Sequence, residues 1–411
     1  MTATPRPPLE ATRVGEALCL YRPDSGALAL LNRAGRERFE VLGQDLPEVA
    51  PLLRAFAPEA IRADYSAPTG RAAIDITVGF GSGIRLQCHE PWLAGLLAAV
   101  LAPLRDDNED VGVPGHSNIK QGLLLNPTPA LPPQGGGRGP VGMATAPSPP
   151  TAPSPPPLRG SVRVGRCGKS SASNPAGITL MVAREQAAGT YAIWRDGTPL
   201  TGGIGHAGIR RRVLVEVAMT LAAPNRPAAI LHASAVGMGG GAVLLVGRSG
   251  AGKSTLTAAL VAAGAQYLGD DLIPLGPDGG HILPFPTALS VKSGAWAEVA
   301  RDFPELEHQP IHRRGGADVR YLALPLPASM EPMRVRAVIF TSYEPGSGCV
   351  ARPVTPEEAF ALLVDAGSEI MAGTPSARPL ARLTEGKPLI HFNYGITRNI
   401  CDAIFALAAA Q

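Results

Sequence analysis

The chain has 411 residues, 45% of them hydrophobic, which is more than one typical core accommodates, so two or three folded domains are expected. A formal net charge of +3 spread over 37 basic and 34 acidic residues lacks the basic footprint of a nucleic-acid binder, so no nucleic-acid partner is expected. Five scattered cysteines without C-x-x-C spacing, an N-terminus without a charged-then-apolar signal, and a longest apolar run (Trp92 to Leu104) too short for a bilayer predict a soluble cytoplasmic protein with no membrane partner.

The first zone, about 1–60, reads as a small hairpin and helix. Ala17-Leu18-Cys19-Leu20-Tyr21 alternates, Pro23-Asp24-Ser25-Gly26 turns, and Ala27-Leu28-Ala29-Leu30-Leu31 returns, a hairpin signal. Asn32 then caps a helix running through Phe39. Strands follow at Ala73–Val78 and Ile84–Cys88, with a helix over Trp92–Leu104. Gly112 to Gly177 is crowded with Pro, Gly, Ser and Thr, has six basic residues and no acid, and shows no periodicity. Such a segment cannot bury enough apolar surface to offset its ordering entropy, so 112–177 is expected to be a disordered insertion. The strand pattern resumes at Ile178–Val182, with a hairpin at Thr190–Pro199 and a helix over Arg212–Ala222. Residues 61–111 and 178–229 are therefore expected to form one interrupted α+β region.

From about residue 230 the pattern changes. Ala242-Val243-Leu244-Leu245-Val246 reads as a buried strand, and Thr255 to Ala263 as a helix closed by Gly264. Between them Gly247-Arg248-Ser249-Gly250-Ala251-Gly252-Lys253-Ser254 fits the phosphate-binding loop G-x-x-x-x-G-K-[ST], in a chain with only five lysines. Glycines let several backbone N–H groups point at one anion and the helix N-terminus adds partial positive charge. Lys253 reaches the terminal phosphates, and Ser254 offers a hydroxyl to Mg²⁺. The expected nucleotide contacts are thus Gly247 through Ser254, with Thr255 at the helix start, and the expected cofactors are ATP and Mg²⁺.

Further on, Gln266-Tyr267-Leu268 is a short strand ending at Asp270-Asp271, and Val335–Thr341 is a central strand. Thr355-Pro356-Glu357-Glu358 starts a helix expected to continue through Met371; Lys387–Phe392 is a late strand and Thr397–Ala410 a closing helix. Strands flanked by helices predict an α/β core over 230–411. The Val335–Thr341 strand ends without an acid, whereas Asp270-Asp271 directly follow the loop's own helix and strand. Paired acids beside Mg²⁺·ATP can divide two tasks, one holding the metal and one accepting the proton of an attacking hydroxyl.

Three features in register, Leu231-His232-Ala233, Gly247–Ser254 and Leu268-Gly269-Asp270-Asp271, resemble the HPr kinase/phosphorylase family, whose core is similar to phosphoenolpyruvate carboxykinase. The resemblance covers 230–275 well and the remainder to Gln411 loosely. It implies a mixed-sheet ATP-binding core and an ATP-dependent kinase acting on a serine of a protein or peptide. In that reading Asp270 is the general base, Asp271 and Ser254 hold Mg²⁺, His232 sits beside the base, and Lys253 neutralises phosphate. The family's I-E-I-R-G-like stretch is missing; Arg313-Arg314-Gly315-Gly316 and Arg320-Tyr321-Leu322 stand in that region. Reverse phosphorolysis, HPr as substrate and the family's hexamer are therefore not implied, and homo-oligomerisation stays open.

Leu283-Pro284-Phe285-Pro286 through Lys292 looks more like the HPr-kinase-related proteins of peptide-modification clusters, including lasso-peptide kinases. Lys292 and Arg320 are candidates for neutralising transition-state charge. The hairpin from Leu20 to Gly35 looks like the start of the small peptide chaperones named for pyrroloquinoline-quinone biosynthesis D, which bind leader peptides by strand addition. His281, His308, His312 and Cys349 form no metal spacing. A small-metabolite kinase and a non-catalytic, nucleotide-gated scaffold remain as alternatives.

Overall fold

The computed structural model describes residues 9–23, 26–43, 47–49, 67–79, 83–105, 177–185, 189–371 and 374–409. The expected disordered insertion, apart from Gly177, lies outside these residues. The described residues fold as a mixed α/β protein with four sheets. Among the described residues no helix is long and apolar enough to cross a membrane.

Three antiparallel strands come first: β1 (Glu10–Val14), β2 (Ala17–Tyr21) and β3 (Leu28–Leu31). Asn32 caps α1 (Arg33–Leu42), its side chain accepting from the Gly35 N–H, as the sequence predicts. Strand β1 was not legible, because Glu10-Ala11-Thr12-Arg13-Val14 buries only Thr12 and Val14. A five-stranded sheet follows in the order of its sequence: β4 (Ile74–Val78), β5 (Ile84–Cys88), β6 (Thr179–Arg184), β7 (Tyr191–Arg195) and β8 (Thr198–Ile204). Helices α2 (Pro91–Val100) and α3 (His206–Leu221) share one core with it, in which Leu93, Leu97, Val213 and Val217 join Leu86, Leu180 and Ile193.

Two helix boundaries here differ from expectation. The Trp92–Leu104 segment ends its α-helix at Val100 and tightens into a 3₁₀ turn over Ala102–Leu104, where Pro103 removes a backbone donor. Helix α3 starts six residues before Arg212, at His206 behind the cap residue Gly205. Gly205 and Gly208 hide that start in the sequence.

The largest sheet has ten strands and is mixed. It contains β9 (Ala229–Leu231), β10 (Ala233–Met238), β11 (Gly241–Val246), β12 (Gln266–Gly269), β13 (Ile273–Leu275) and β14 (His281–Ile282). A small antiparallel sheet interrupts it in sequence: β15 (Leu289–Lys292), β16 (His312–Arg314) and β17 (Ala317–Leu322), with the short α5 (Trp296–Val299) between the first two. The main sheet then takes β18 (Met333–Tyr343), β19 (Val350–Pro353), β20 (Glu369–Ile370) and β21 (Leu389–Tyr394). Helix α4 (Lys253–Ala262) follows β11; α6 (Pro356–Asp365), α7 (Arg378–Leu383) and α8 (Thr397–Ala409) complete the chain. The expected helix from Thr355 to Met371 stops at Asp365. Gly367 takes φ 101°, and residues 369–370 pair with β9 instead.

Strand β11 is buried at all six positions, as expected for a strand covered on both faces. Val243 and Leu245 pack with Leu256 and Leu260 of α4 and Ile404 of α8. Leu244 and Val246 face Phe360 and Leu363 of α6 and Leu380 and Leu383 of α7. Each such side chain contributes about 1.5–3 kcal/mol by leaving water.

Strand directions decide what meets at the edge of this sheet. Strands β11, β18 and β21 are parallel, so their carboxyl ends share one edge. Strand β10 returns antiparallel through Gly239-Gly240. Both glycines have positive φ, 58° and 74°, which a two-residue hairpin of this hand requires. Strand β12 is antiparallel to β10 and so runs in the sense of β11. The start of β10 and the ends of β11 and β12 therefore converge, bringing His232, the phosphate loop, Asp270 and Asp271 together.

Candidate functional site

Helix α4 begins at Lys253, with Gly252 as its cap residue at φ 83°. A Cβ on Gly252 would lie 2.2 Å from the Tyr394 hydroxyl, so backbone angle and neighbour both demand glycine. The Lys253 ammonium donates to the carbonyls of Gly247 (2.6 Å) and Arg248 (3.3 Å). Burial pulls its pKa below the usual lysine range, against the opposing charges of Asp270 and Asp271 and with the help of Lys292 and Arg314.

The next side chain, Ser254, donates to Asp270 Oδ2 at 3.0 Å. Asp270 is 3% exposed. It also accepts from the Ser234 hydroxyl and, at 3.3 Å, from the Ser290 N–H of β15. All these bonds are donated to its carboxylate.

Asp271 stands in a different environment. Its φ is 73°, an uncommon conformation for a residue with a Cβ and one that often marks functional sites. Its Oδ1 lies 3.1 Å from His232 Nε2, and its Oδ2 meets Arg314 at 2.7 Å and Arg210 at 3.3 Å. Burial acts to raise its carboxyl pKa, but the His232 hydrogen bond and the Arg314 and Arg210 charges outweigh it and hold the group well below the usual carboxylate range. His232 Nδ1 is 2.5 Å from the Ala366 carbonyl. A carbonyl only accepts, so Nδ1 is the donor there, and this contact turns Nε2 toward Asp271.

Two cavities meet at this pair. The larger, about 400 Å³, is lined by Ser249, Gly250, Gly252, Lys253, Ser254, Thr255 and Asp270, with Tyr343 and Tyr394 among its other walls. The smaller, about 280 Å³, contains Arg210, Arg211 and Glu369 and no residue of the loop. His232, Asp271 and Arg314 line both.

The expected residues thus divide. Six of the nine loop positions line the larger cavity, but Gly247, Arg248 and Ala251 do not. Gly247 and Arg248 offer their carbonyls to Lys253, and the exposed Arg248 side chain turns to Asp365 at 3.6 Å. Ala251 packs against Gly247, where an added Cβ would approach it to 2.8 Å. The expected pairing of Ser254 with Asp271 on a metal is not what the structure brings together: Ser254 bonds Asp270, while Asp271 is taken up by two guanidiniums and an imidazole. Lys292 does reach the loop, donating to Ser249 Oγ at 2.8 Å. Arg320 instead stacks on Trp296, 4.3 Å from the ring centroid, and lines neither cavity.

His281 pairs with Asp278, His312 leans on Tyr321, and among the described residues no three His, Cys, Asp or Glu gather as a metal site. Sequence reasoning missed Arg210 and Tyr394 and gave Arg314 no role. The Arg314-Gly315-Gly316 turn was the one visible hint.

The donor set suits a magnesium nucleotide. Ser254 and Asp270 are hard oxygen donors, and Mg²⁺ typically takes one or two protein ligands and fills the rest with phosphate and water. The buried Lys253 ammonium, which donates to the loop carbonyls, and the amides of the α4 N-terminus are complementary to a polyphosphate.

No family model and no curated protein matches the chain. Among solved structures it is similar to the Hpr(Ser) kinase/phosphatase from Coxiella burnetii. The two are 15% identical over 44% of this chain and 94% of that one, with a TM-score of 0.21.

Proposed function

We propose that the protein is an ATP-dependent kinase with a phosphoenolpyruvate-carboxykinase-like core, transferring the γ-phosphoryl group to a serine hydroxyl of a protein or peptide. The observation that carries this reading is the division of the acid pair: Asp270 accepts from the Ser254 hydroxyl beside the phosphate loop, while Asp271 lines both cavities. The loop amides, Lys253 and Lys292 hold the phosphates. Ser254 and Asp270 would hold Mg²⁺, which when bound supplies neutralisation of phosphate charge.

Asp271, rather than Asp270, takes the acceptor. As the acceptor oxygen bonds to the γ-phosphorus, the bond from that phosphorus to the β,γ-bridging oxygen breaks and ADP leaves. The acceptor's proton passes to the Asp271–His232 pair. A carboxylate held well below its usual range is a weak base. A loose phosphoryl-transfer transition state asks mainly for positioning and charge stabilisation, so a weak base suffices.

The test is full-length protein with γ-labelled ATP and Mg²⁺, offered a panel of serine peptides and a panel of hydroxyl metabolites. Label on peptide serine is expected. Label only on a metabolite would transfer the site to small-molecule phosphorylation; ATP binding with label on no acceptor would leave a nucleotide-gated scaffold.

A further inference from the structure

The smaller cavity is unusual in its charge. Three guanidiniums, those of Arg210, Arg211 and Arg314, line it against two carboxylates, Asp271 and Glu369. Arg211 is braced at its rim by Glu369 (2.6 Å) and the Gly367 carbonyl (3.0 Å). Arg210 is only 8% exposed, and among the described residues its Nε has no hydrogen-bond partner. Its terminal nitrogens reach Asp271 Oδ2 only at 3.3 and 3.4 Å. A buried donor left unpaired is costly, and a planar guanidinium is the group best matched to a second, bidentate anion. At about 280 Å³ the cavity falls just under the roughly 300–1,000 Å³ of drug-sized ligand pockets, so it admits a short piece of peptide and not a folded surface.

Resting on the kinase reading above, we propose that this cavity is the acceptor subsite and that Arg210 and Arg211 select a serine flanked by a side-chain carboxylate. The hydroxyl then lies at the wall formed by Asp271 and His232, which the loop cavity shares, and the neighbouring carboxylate completes Arg210. Helix α3, which ends at Leu221, well before the phosphate loop begins at Gly247, thereby sets acceptor specificity.

The test compares capped peptides Gly-Ser-Glu, Gly-Ser-Gln and Gly-Ser-phosphoserine, together with unreactive versions in which alanine replaces the acceptor serine. Binding of the unreactive set to the full chain is measured by calorimetry with a non-hydrolysable ATP analogue present. The Glu peptide is expected to bind about tenfold more tightly than the Gln peptide, as one charge-assisted hydrogen bond provides. The preference should vanish in Arg211→Gln and in Arg210→Gln. Should the buried Arg210→Gln variant fail to fold, Arg211→Gln and the salt dependence of the Glu-over-Gln preference still decide. Equal binding of Glu and Gln peptides overturns the proposal. Tightest binding of the phosphoserine peptide keeps the anion site and reassigns its source to phosphate. Glu-selective binding without any phosphate transfer overturns the kinase reading and leaves the anion site standing; equal transfer to Glu and Gln peptides does the reverse.

Discussion

Ser254 Oγ donates to Asp270 Oδ2 across 3.0 Å, and this one bond separates two carboxylates that are adjacent in the chain. On the proposed reading the acid that accepts from the hydroxyl of the loop stands on the metal side, and its neighbour is left for the acceptor. Asp270→Asn should therefore raise the Mg²⁺ concentration needed for half-maximal activity, and Ser254→Ala should do the same. Asp271→Asn should leave ATP binding and the Mg²⁺ requirement in place while lowering kcat by about 10²–10⁴, the usual range for a lost proton acceptor. The check is a Mg²⁺ titration of activity beside nucleotide binding for all three variants. A normal Mg²⁺ requirement with collapsed kcat in Asp270→Asn would restore the assignment first suggested by the sequence.

That assignment shows where sequence reading runs out. The strand, loop and helix from Gly241 to Ala262 were legible because glycine spacing, apolar burial and the Lys253-Ser254 pair are all local. The approach of Asp270-Asp271 and His232 to the loop was legible through spacing. Which acid turns which way was not. It depends on a register shift in the β10–β12 pairing and on the positive φ of Asp271, neither of which is written in local sequence. Arg210 was illegible for another reason: it reaches Asp271 across 61 residues of chain, from a helix whose start is masked by glycines.

Gly252 carries a positive φ of 83° and stands against the Tyr394 hydroxyl. Gly252→Ala should cost about 1–3 kcal/mol of stability from backbone strain alone and should displace the α4 N-terminus. The expected result is a lower unfolding midpoint together with weakened ATP binding. Gly264→Ala tests strain without the close neighbour, because its φ is 104° and nothing lies within 4 Å of an added Cβ. It should lower stability while sparing ATP affinity. Equal loss of ATP affinity in both variants would show that the loop's shape does not depend on Tyr394.

Among the described residues Lys253 donates to the loop's own carbonyls, and its pKa is lowered chiefly by burial. Replacing it by methionine removes a charge that is costly to bury and keeps most of the volume. Lys253→Met should therefore fold with stability equal to or above that of the unaltered chain. ATP affinity and phosphoryl transfer should both fall, because the terminal phosphates lose their counter-charge. Thermal unfolding and nucleotide titration on one sample read the two effects separately. A destabilised variant with normal ATP affinity would make Lys253 a structural residue.

The acid limit of stability should carry the signature of Asp271. Its carboxylate, ordinarily near 3.8, is held well below that value by the His232 hydrogen bond and the Arg314 and Arg210 charges, against the burial that would raise it. The folded state then binds fewer protons than the unfolded state once the pH drops into the ordinary carboxylate range. A depressed carboxylate of this kind gives its full contribution above its unfolded value and loses it as pH falls toward its folded value. Asp271→Asn keeps the shape and removes the titration, at a cost of about 1.5–3 kcal/mol near neutrality for hydrogen bonds to a charged group. The gap in unfolding midpoint between the two proteins should be widest well above the ordinary carboxylate value of 3.8 and should narrow as the pH falls below it. A gap of constant width over that range would mean that Asp271 is not held ionised by its partners, and the pairing of the two cavities around a charged carboxylate would lose its physical basis.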